Sequence, residues 1–163
     1  MTALALRLAG SAMLIAAGTM LGWGRLREME RRLTTLRCVC EGLGRMAAEL
    51  ETLAPPLRQV LSGVRDLPFF RLVAAGFGGE RFQDLWQRAA ETLPLSEAER
   101  RALAAPGAVL GRCDAATAAA ELTLARRALS ERADALERDI AARGRRFAGL
   151  GAALGAIAAA VLF

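Results

Sequence analysis

Three cysteines, Cys38, Cys40 and Cys113, carry the most reactive chemistry in a chain that has no histidine. Cys38 and Cys40 are two residues apart on a predicted helix, so their side chains do not face one another. An odd number of cysteines without a framework spacing argues against a secreted disulfide scaffold. Without histidine, little remains to complete a zinc site. We therefore predict reduced cysteines in a cytoplasmic environment and no metal site.

No set of residues is suited to acid–base or nucleophilic catalysis. Closely spaced carboxylates such as Glu49 and Glu51 are typical of solvated charges on a helix face, and no nucleophile has a base beside it. The glycines around Gly78 follow no strand, and the chain has no lysine, so a phosphate-binding loop is not indicated. The sequence predicts a structural or interaction protein, not an enzyme, and no cofactor.

The basic residues number 22 and all are arginine, which leaves a net charge of +5. They are interleaved with Asp and Glu and do not form one block, which disfavours nucleic acid as a partner. A modest positive charge also suits a protein beside anionic lipid head groups. A soluble, Arg-rich nucleic-acid binder remains a third hypothesis, against which the two apolar ends argue.

Both ends of the chain are apolar, and the whole is 54% hydrophobic. Residues 8–24 carry no charge, and about 20 apolar residues suffice for a membrane span. Residues 147–163 are also uncharged, and a small tilt or a thin bilayer accommodates their shorter length. Within this stretch Gly151 and Gly155 form G-x-x-x-G, which lets another helix pack closely. We predict transmembrane helices over 1–24 and 147–163. A cleaved signal peptide is the alternative for the first, although its apolar run continues into a helical pattern without a break.

Arginines flank the inner side of each predicted span: Arg25 and Arg27 after the first, and Arg143, Arg145 and Arg146 before the second. The outer ends carry only Arg7. The positive-inside rule therefore places the central domain, 25–146, in the cytoplasm and both termini outside. The five inner arginines are expected to lie next to lipid.

The central domain contains two heptad-like apolar seams. A spacing of three and four residues predicts one long helix before Pro55 and another after Asp114, the expected N-cap. The seam positions are Leu26, Met29, Leu33, Leu36, Cys40, Leu43, Ala47 and Leu50 in the first helix, and Ala118, Leu122, Ala125, Leu129, Ala133, Leu136 and Ile140 in the second. We predict an all-α fold: an antiparallel helical bundle with two long heptad-patterned helices, each continuing into one transmembrane helix at its end of the chain.

Shorter helices are predicted between the two long ones. Trp86 and the phenylalanines are expected in the core, Ser96 with Glu99 forms a capping box, and Pro106 with Gly107 is expected to break or bend the helix that follows. The turns that join the helices far from the membrane are where binding usually occurs. Candidate partner-binding residues there are Pro55, Pro56, Leu57, Arg58 and Arg81.

The order of these features resembles the stage III sporulation protein AB family of endospore-forming bacteria. The resemblance runs over nearly the whole chain and rests on an amino-terminal span, a Leu-periodic helix, a Trp-bearing helix, a long Glu/Arg helix and a terminal span. The short matching motifs are Glu49-Leu50, Pro56-Leu57, Leu85-Trp86, Leu110-Gly111 before Asp114, and Leu150-Gly151. Thr52 departs from the family, which tends to have an aromatic residue at that point.

The family is similar in its helical domain to the F-type platform proteins of type II secretion and type IV pili. The resemblance implies a membrane platform or adaptor on the mother-cell side of the channel between mother cell and forespore. It also implies as partners a sporulation AAA-type secretion ATPase like stage III protein AA, and other channel membrane proteins. A self-associating coiled-coil membrane protein of the envelope or division machinery is the alternative, and formation of a homo-oligomer stays open.

Overall fold

Two long helices, α1 (Thr2–Leu53) and α6 (Ala115–Leu162), dominate the structure, a computed structural model that describes the backbone of residues 2–162 and the side chains of residues 24–144. The two helices pack against each other in opposite directions. Arg37 of α1 contacts Glu137 of α6, whereas Cys40, further along α1, contacts Arg126, earlier in α6. The all-α fold is therefore present: within the described residues there are six helices and no strand.

The seams of both long helices face the core, as the spacing predicts. Leu36 and Leu43 of α1 and Leu122 and Leu129 of α6 are fully buried. Towards the terminal segments the seam is more open, and Leu26, for example, is only half-buried. Burial of apolar side chains at about 25 cal/mol per Å² is the main force that holds the two helices together.

The ends of the long helices are where the sequence places them. Helix α1 ends at Leu53, immediately before Ala54-Pro55-Pro56, because proline cannot continue the hydrogen-bond ladder and restricts the residue before it. Helix α6 begins after Asp114, whose carboxylate accepts hydrogen bonds from the backbone N–H (3.1 Å) and the hydroxyl (2.7 Å) of Thr117. These bonds lower the pKa of Asp114 below its ordinary value.

Four short helices connect the long pair: α2 (Leu57–Gly63), α3 (Pro68–Gly76), α4 (Phe82–Glu91) and α5 (Glu97–Val109). Helix α2 packs against α1 and α3, and the Phe70 ring of α3 lies against Gly42 of α1. Helix α3 packs against α4, α4 packs against α5, and α5 packs against α6. A second apolar row of α1 is buried as well, since Val39 and Met46 are buried although neither belongs to the predicted seam.

An aromatic cluster fills the space between α3 and α4. The rings of Phe69 and Phe70 meet the Trp86 ring edge to face, with centroids 4.9 and 6.0 Å away, and Phe82 and Phe77 extend the cluster outwards. The buried Trp86 indole donates a hydrogen bond of 2.7 Å to the carbonyl of Leu103. The prediction that Trp86 belongs to the core is confirmed.

The expected interruption at Pro106-Gly107 does not end α5, which continues to Val109. Pro106 lies in the last turn of the helix, where its ring removes one backbone donor without preventing the final turn from closing. Gly107 serves packing: a Cβ at this position would lie 2.5 Å from Cδ1 of Trp86. The glycine therefore allows α4 to approach α5 closely.

No helical stretch among the described residues has the length and apolar character that a bilayer crossing needs. The predicted spans, 1–24 and 147–163, fall almost entirely on residues whose side chains lie outside that description, as do Gly151, Gly155, Arg145 and Arg146. These predictions therefore stay predictions.

Candidate functional site

Three turns meet at the end of the bundle that is far from the terminal segments; we call this the distal end. They are the α1–α2 turn at residues 54–56, the α3–α4 loop at residues 77–81 and the α5–α6 turn at residues 110–114. A Cβ built on Gly111 would lie 3.7 Å from Leu57, which puts the first and third turns side by side. The guanidinium of Arg58 lies 5.9 Å from the centre of the Phe77 ring, which brings the second turn to α2.

The predicted partner-binding residues all lie at the distal end. Pro56, Arg58 and Arg81 are exposed, while Pro55 and Leu57 are half-buried. Arg58, Leu61, Arg65, Ala74 and Phe77 line a small cleft of about 160 Å³, which is too small for an ordinary metabolite. The distal end is thus suited to surface contact with a macromolecule more than to enclosing a small molecule.

The backbone of the first distal turn is strained. Ala54 has a φ of 42°, in the left-handed region that residues other than glycine rarely adopt. The prolines at positions 55 and 56 restrict the neighbouring angles, and the amide of Ala54 still donates to the Leu50 carbonyl over 3.2 Å. The turn therefore has a fixed direction, and it presents Pro56 and Arg58 on a rigid support.

The distal end carries exposed charges of both signs that belong to no ion pair among the described residues, and Glu51, Asp84 and Asp114 are its acidic members. The distal Glu80 pairs with Arg88, and Asp66, in the turn between α2 and α3, accepts from Arg45 over 2.9 Å. The hydrogen bonds that Arg45 donates to Asp66 and Glu41 raise the pKa of Arg45. Among the residues that the structure describes, Arg58, Arg65, Arg81 and Arg112 belong to none of the ion pairs.

A second site, which the sequence did not indicate, lies at the opposite end, which we call the proximal end. Here the turn between α4 and α5 packs against the first turns of α1 beyond residue 24. Arg32 of α1 donates two hydrogen bonds, of 2.9 and 2.7 Å, to the carboxylate of Glu99 in α5. The same carboxylate accepts from the Ser96 backbone N–H over 2.7 Å, which completes the capping box.

Glu99 is the one charged side chain in the buried core that the structure describes, with 2% of its surface exposed. Burial opposes its ionisation, but the hydrogen bonds from Arg32 and Ser96 outweigh burial and lower the pKa of Glu99. The capping box was visible in the sequence because its two residues are three positions apart. The partner Arg32 was not, since 67 positions separate it from Glu99.

The proximal end also has an open groove of about 730 Å³ between α1, α6 and the α4–α5 turn. It contains two of the arginines predicted to lie near lipid, Arg25 and Arg143, to which the fold adds Arg100. Arg27 lies on the neighbouring face, in a shallow cleft beside Pro94. The structure thus brings residues from both ends of the sequence together with the middle helices.

The cysteines do not assemble into a site. Cys38 and Cys40 are half-buried and Cys113 is exposed at the distal end, and all three are free thiols. Burial raises the pKa of Cys40, which favours the protonated thiol over the reactive thiolate. Within the described part of the chain, no group of three or more His, Cys, Asp or Glu side chains could hold a metal ion.

Comparison with known proteins identifies one family. Neither the curated proteins nor the solved structures contain a match. The family model of stage III sporulation protein AB matches residues 7–163, which is nearly the whole chain. That family is one of sporulation proteins and is not known as an enzyme family. The chain belongs to the stage III sporulation protein AB family.

Proposed function

We propose that this protein is a membrane platform or adaptor of the channel between mother cell and forespore, and that it couples a cytoplasmic ATPase to other channel membrane proteins. The central domain would lie in the cytoplasm of the mother cell, between one transmembrane helix at each end. The proposed ATPase is a sporulation secretion ATPase like stage III protein AA. The protein itself would contribute no catalysis.

The cluster of exposed arginines at the distal end carries this proposal. The distance from Arg25 to the end of α1 is roughly 40 Å at 1.5 Å per residue, so the two long helices hold the distal turns well away from the terminal segments. Turns carried on rigid helices are common binding surfaces. The arginines at positions 58, 65, 81 and 112 are exposed and belong to none of the ion pairs among the described residues, so they can pair with an acidic surface of a partner.

The packing of the seams favours an adaptor over the alternative, a self-associating coiled coil. An intermolecular coiled coil would need the heptad seams of α1 and α6 at its interface. Leu36 and Leu129 are instead fully buried within one chain. Leu124, which is 63% exposed, is the one large apolar side chain of α6 that faces outwards among the described residues. A single leucine offers little for a second helix to pack against.

Reporter fusions test the proposed topology. A reporter that is active only in the cytoplasm, placed at Gly78 in the distal loop, should be active. A reporter that is active only outside the cytoplasm, placed after Phe163, should be active as well. An inactive reporter at Gly78 would overturn the proposed orientation.

Capture of the ATPase tests the proposed partner surface. Arg58→Glu and Arg81→Glu, each in the full chain, should abolish capture of the stage III protein AA-like ATPase, because they reverse exposed distal charges. Matched controls are Arg31→Glu and Arg143→Glu at the proximal end and Arg127→Glu on the exposed face of α6, where the side chain is 82% exposed. If only the proximal changes abolish capture while helicity is unchanged, the docking surface lies elsewhere.

A further inference from the structure

The proximal groove has the composition of a binding site for an amphiphile. Its cationic side is formed by Arg25, Arg100 and Arg143, one from each of α1, α5 and α6. Its apolar side is formed by Met29 of α1, Leu93 of the α4–α5 turn and Leu136 of α6. Free phosphate would use only the cationic side, whereas a phospholipid would use both.

The arginines of the groove are available for an anion. Arg32 also lines the groove, but its guanidinium is held by Glu99. Among the described residues, the side chains at positions 25, 100 and 143 take part in no ion pair. The Nε atom of Arg100 is buried and has no hydrogen-bond partner in the same part of the chain. The guanidinium of Arg100 is thus not saturated with hydrogen bonds among the described residues, and a phosphate in the groove would offer it charge-assisted ones.

Acidic side chains near the groove reduce its positive charge but do not neutralise it. Glu28 and Asp139 line the same groove, and Arg100 also borders a second cleft that contains Glu91 and Glu97. Glu97 is already paired with Arg101 over 3.2 Å. Three available arginines against two carboxylates leave the groove positive, so it favours an anionic head group over a zwitterionic one.

We propose that this groove binds the head group of an anionic phospholipid, with its phosphate against Arg100 and Arg143 and its glycerol and first acyl carbons against Leu93 and Leu136. The placement rests on the proposed membrane attachment, because the groove lies where α1 and α6 approach the uncharged terminal segments. This site is more specific than the general attraction of the flanking arginines to lipid. Arg100 and the α4–α5 turn complete a defined pocket beside those arginines.

Lipid binding to the full-length chain in detergent micelles, measured by native mass spectrometry, tests the site. The wild type should retain phosphatidylglycerol in preference to phosphatidylcholine. Arg100→Gln with Arg143→Gln should weaken that binding by at least about tenfold, because the loss of a single charge-assisted hydrogen bond already accounts for about that factor. The matched control, Arg127→Gln with Arg132→Gln, removes the same charge from the exposed face of α6 and should leave binding unchanged.

Two further measurements distinguish phospholipid from free phosphate and control for misfolding of the variant. Millimolar inorganic phosphate should not displace phosphatidylglycerol; displacement would show that the groove takes free phosphate and would overturn the lipid assignment. Arg100→Lys with Arg143→Lys keeps both charges and should retain the preference. If the Gln pair lowers helicity in circular dichroism, Arg143→Gln alone, at an exposed position, should still reduce binding, and equal binding would overturn the proposal.

Failure of the site is distinguishable from failure of the membrane proposal. Resistance of the wild type to carbonate extraction reports membrane insertion whatever the state of the groove. Extraction of the wild type would refute the membrane attachment. If the wild type stays in the membrane but the groove variant and its control bind phosphatidylglycerol equally, the lipid site in the groove is refuted and the membrane attachment is not.

Discussion

The aromatic cluster and the proximal end of the same bundle are held together by different forces. The cluster of Phe69, Phe70 and Trp86 is closely packed and buried, and its geometry is fixed by ring edges against ring faces. The proximal end depends on the Arg32–Glu99 ion pair beside an open groove. Packing of rings is insensitive to pH and salt, whereas an ion pair responds to both. The part of the domain nearest the terminal segments is therefore the part that charge can adjust.

The largest expected effect is in the aromatic cluster. Trp86→Ala should lower the free energy of unfolding by about 3–5 kcal/mol, because it leaves a large cavity between α3, α4 and α5. Trp86→Phe keeps a ring but leaves the Leu103 carbonyl without its donor, and should cost about 1–3 kcal/mol. Denaturant unfolding of the full chain measures both. Equal losses for the two variants would mean that the hydrogen bond, not ring packing, dominates at this position.

The proximal ion pair should give the next largest effect. Glu99→Gln removes the charge that faces Arg32 and should cost about 1–3 kcal/mol, less than for a fully buried pair, because a third of the Arg32 side chain is exposed. Glu97→Gln, two residues away in the same helix turn and 66% exposed, is the matched control and should change little. A loss for Glu97→Gln as large as that for Glu99→Gln would contradict the assignment.

The same pair predicts a pH dependence with a definite sign. Because the pKa of Glu99 is lowered in the folded protein, its contribution to stability is fully present above the unfolded-state pKa, about 4.3. The contribution is lost as pH falls from that value through the lower folded-state pKa. In Glu99→Gln this part of the acid-induced loss should be absent. An unchanged pH profile in Glu99→Gln would show that other carboxylates cause the loss.

The sequence predicted features that depend on residues close together in the chain, and it missed features that depend on residues far apart in the chain. The seams, the Pro55-Pro56 stop, the Asp114 cap and the Ser96–Glu99 capping box depend on residues within one or two helical turns, so local spacing reveals them. The burial of Val39 and the pairing of Arg32 with Glu99 depend on how elements that are distant in the sequence pack together. No local pattern encodes that placement. For the same reason the sequence predicted that Arg25 and Arg143 lie near lipid but did not indicate that Arg100 lines the same groove.

A smaller effect with the opposite sign is expected at the distal end. Ala54→Gly should raise the free energy of unfolding by about 0.5–1 kcal/mol, since glycine adopts a φ of 42° without the steric penalty that alanine meets. Gly111→Ala, at a φ of 83° in the neighbouring turn, should do the reverse. Thermal unfolding compares the two. Destabilisation by Ala54→Gly would mean that contacts of the alanine methyl group outweigh its backbone strain.

The smallest effect is expected at the exposed ion pair between Arg37 and Glu137. Arg37 and Glu137 join α1 to α6 over 2.6 Å, a shorter distance than either contact between Arg32 and Glu99, yet both side chains are more than half exposed. Water screens such a pair and its side chains lose rotamer freedom, so a double-mutant cycle with Arg37→Gln and Glu137→Gln should give a coupling energy of at most about 0.5 kcal/mol. The matching cycle with Arg32→Gln and Glu99→Gln should give more, because Glu99 is buried and its carboxylate cannot turn to water. High salt should reduce the small coupling further and leave most of the large one. If the exposed pair couples as strongly as the buried one, distance and not burial determines the value of ion pairs in this bundle, and the proximal end has no special dependence on charge.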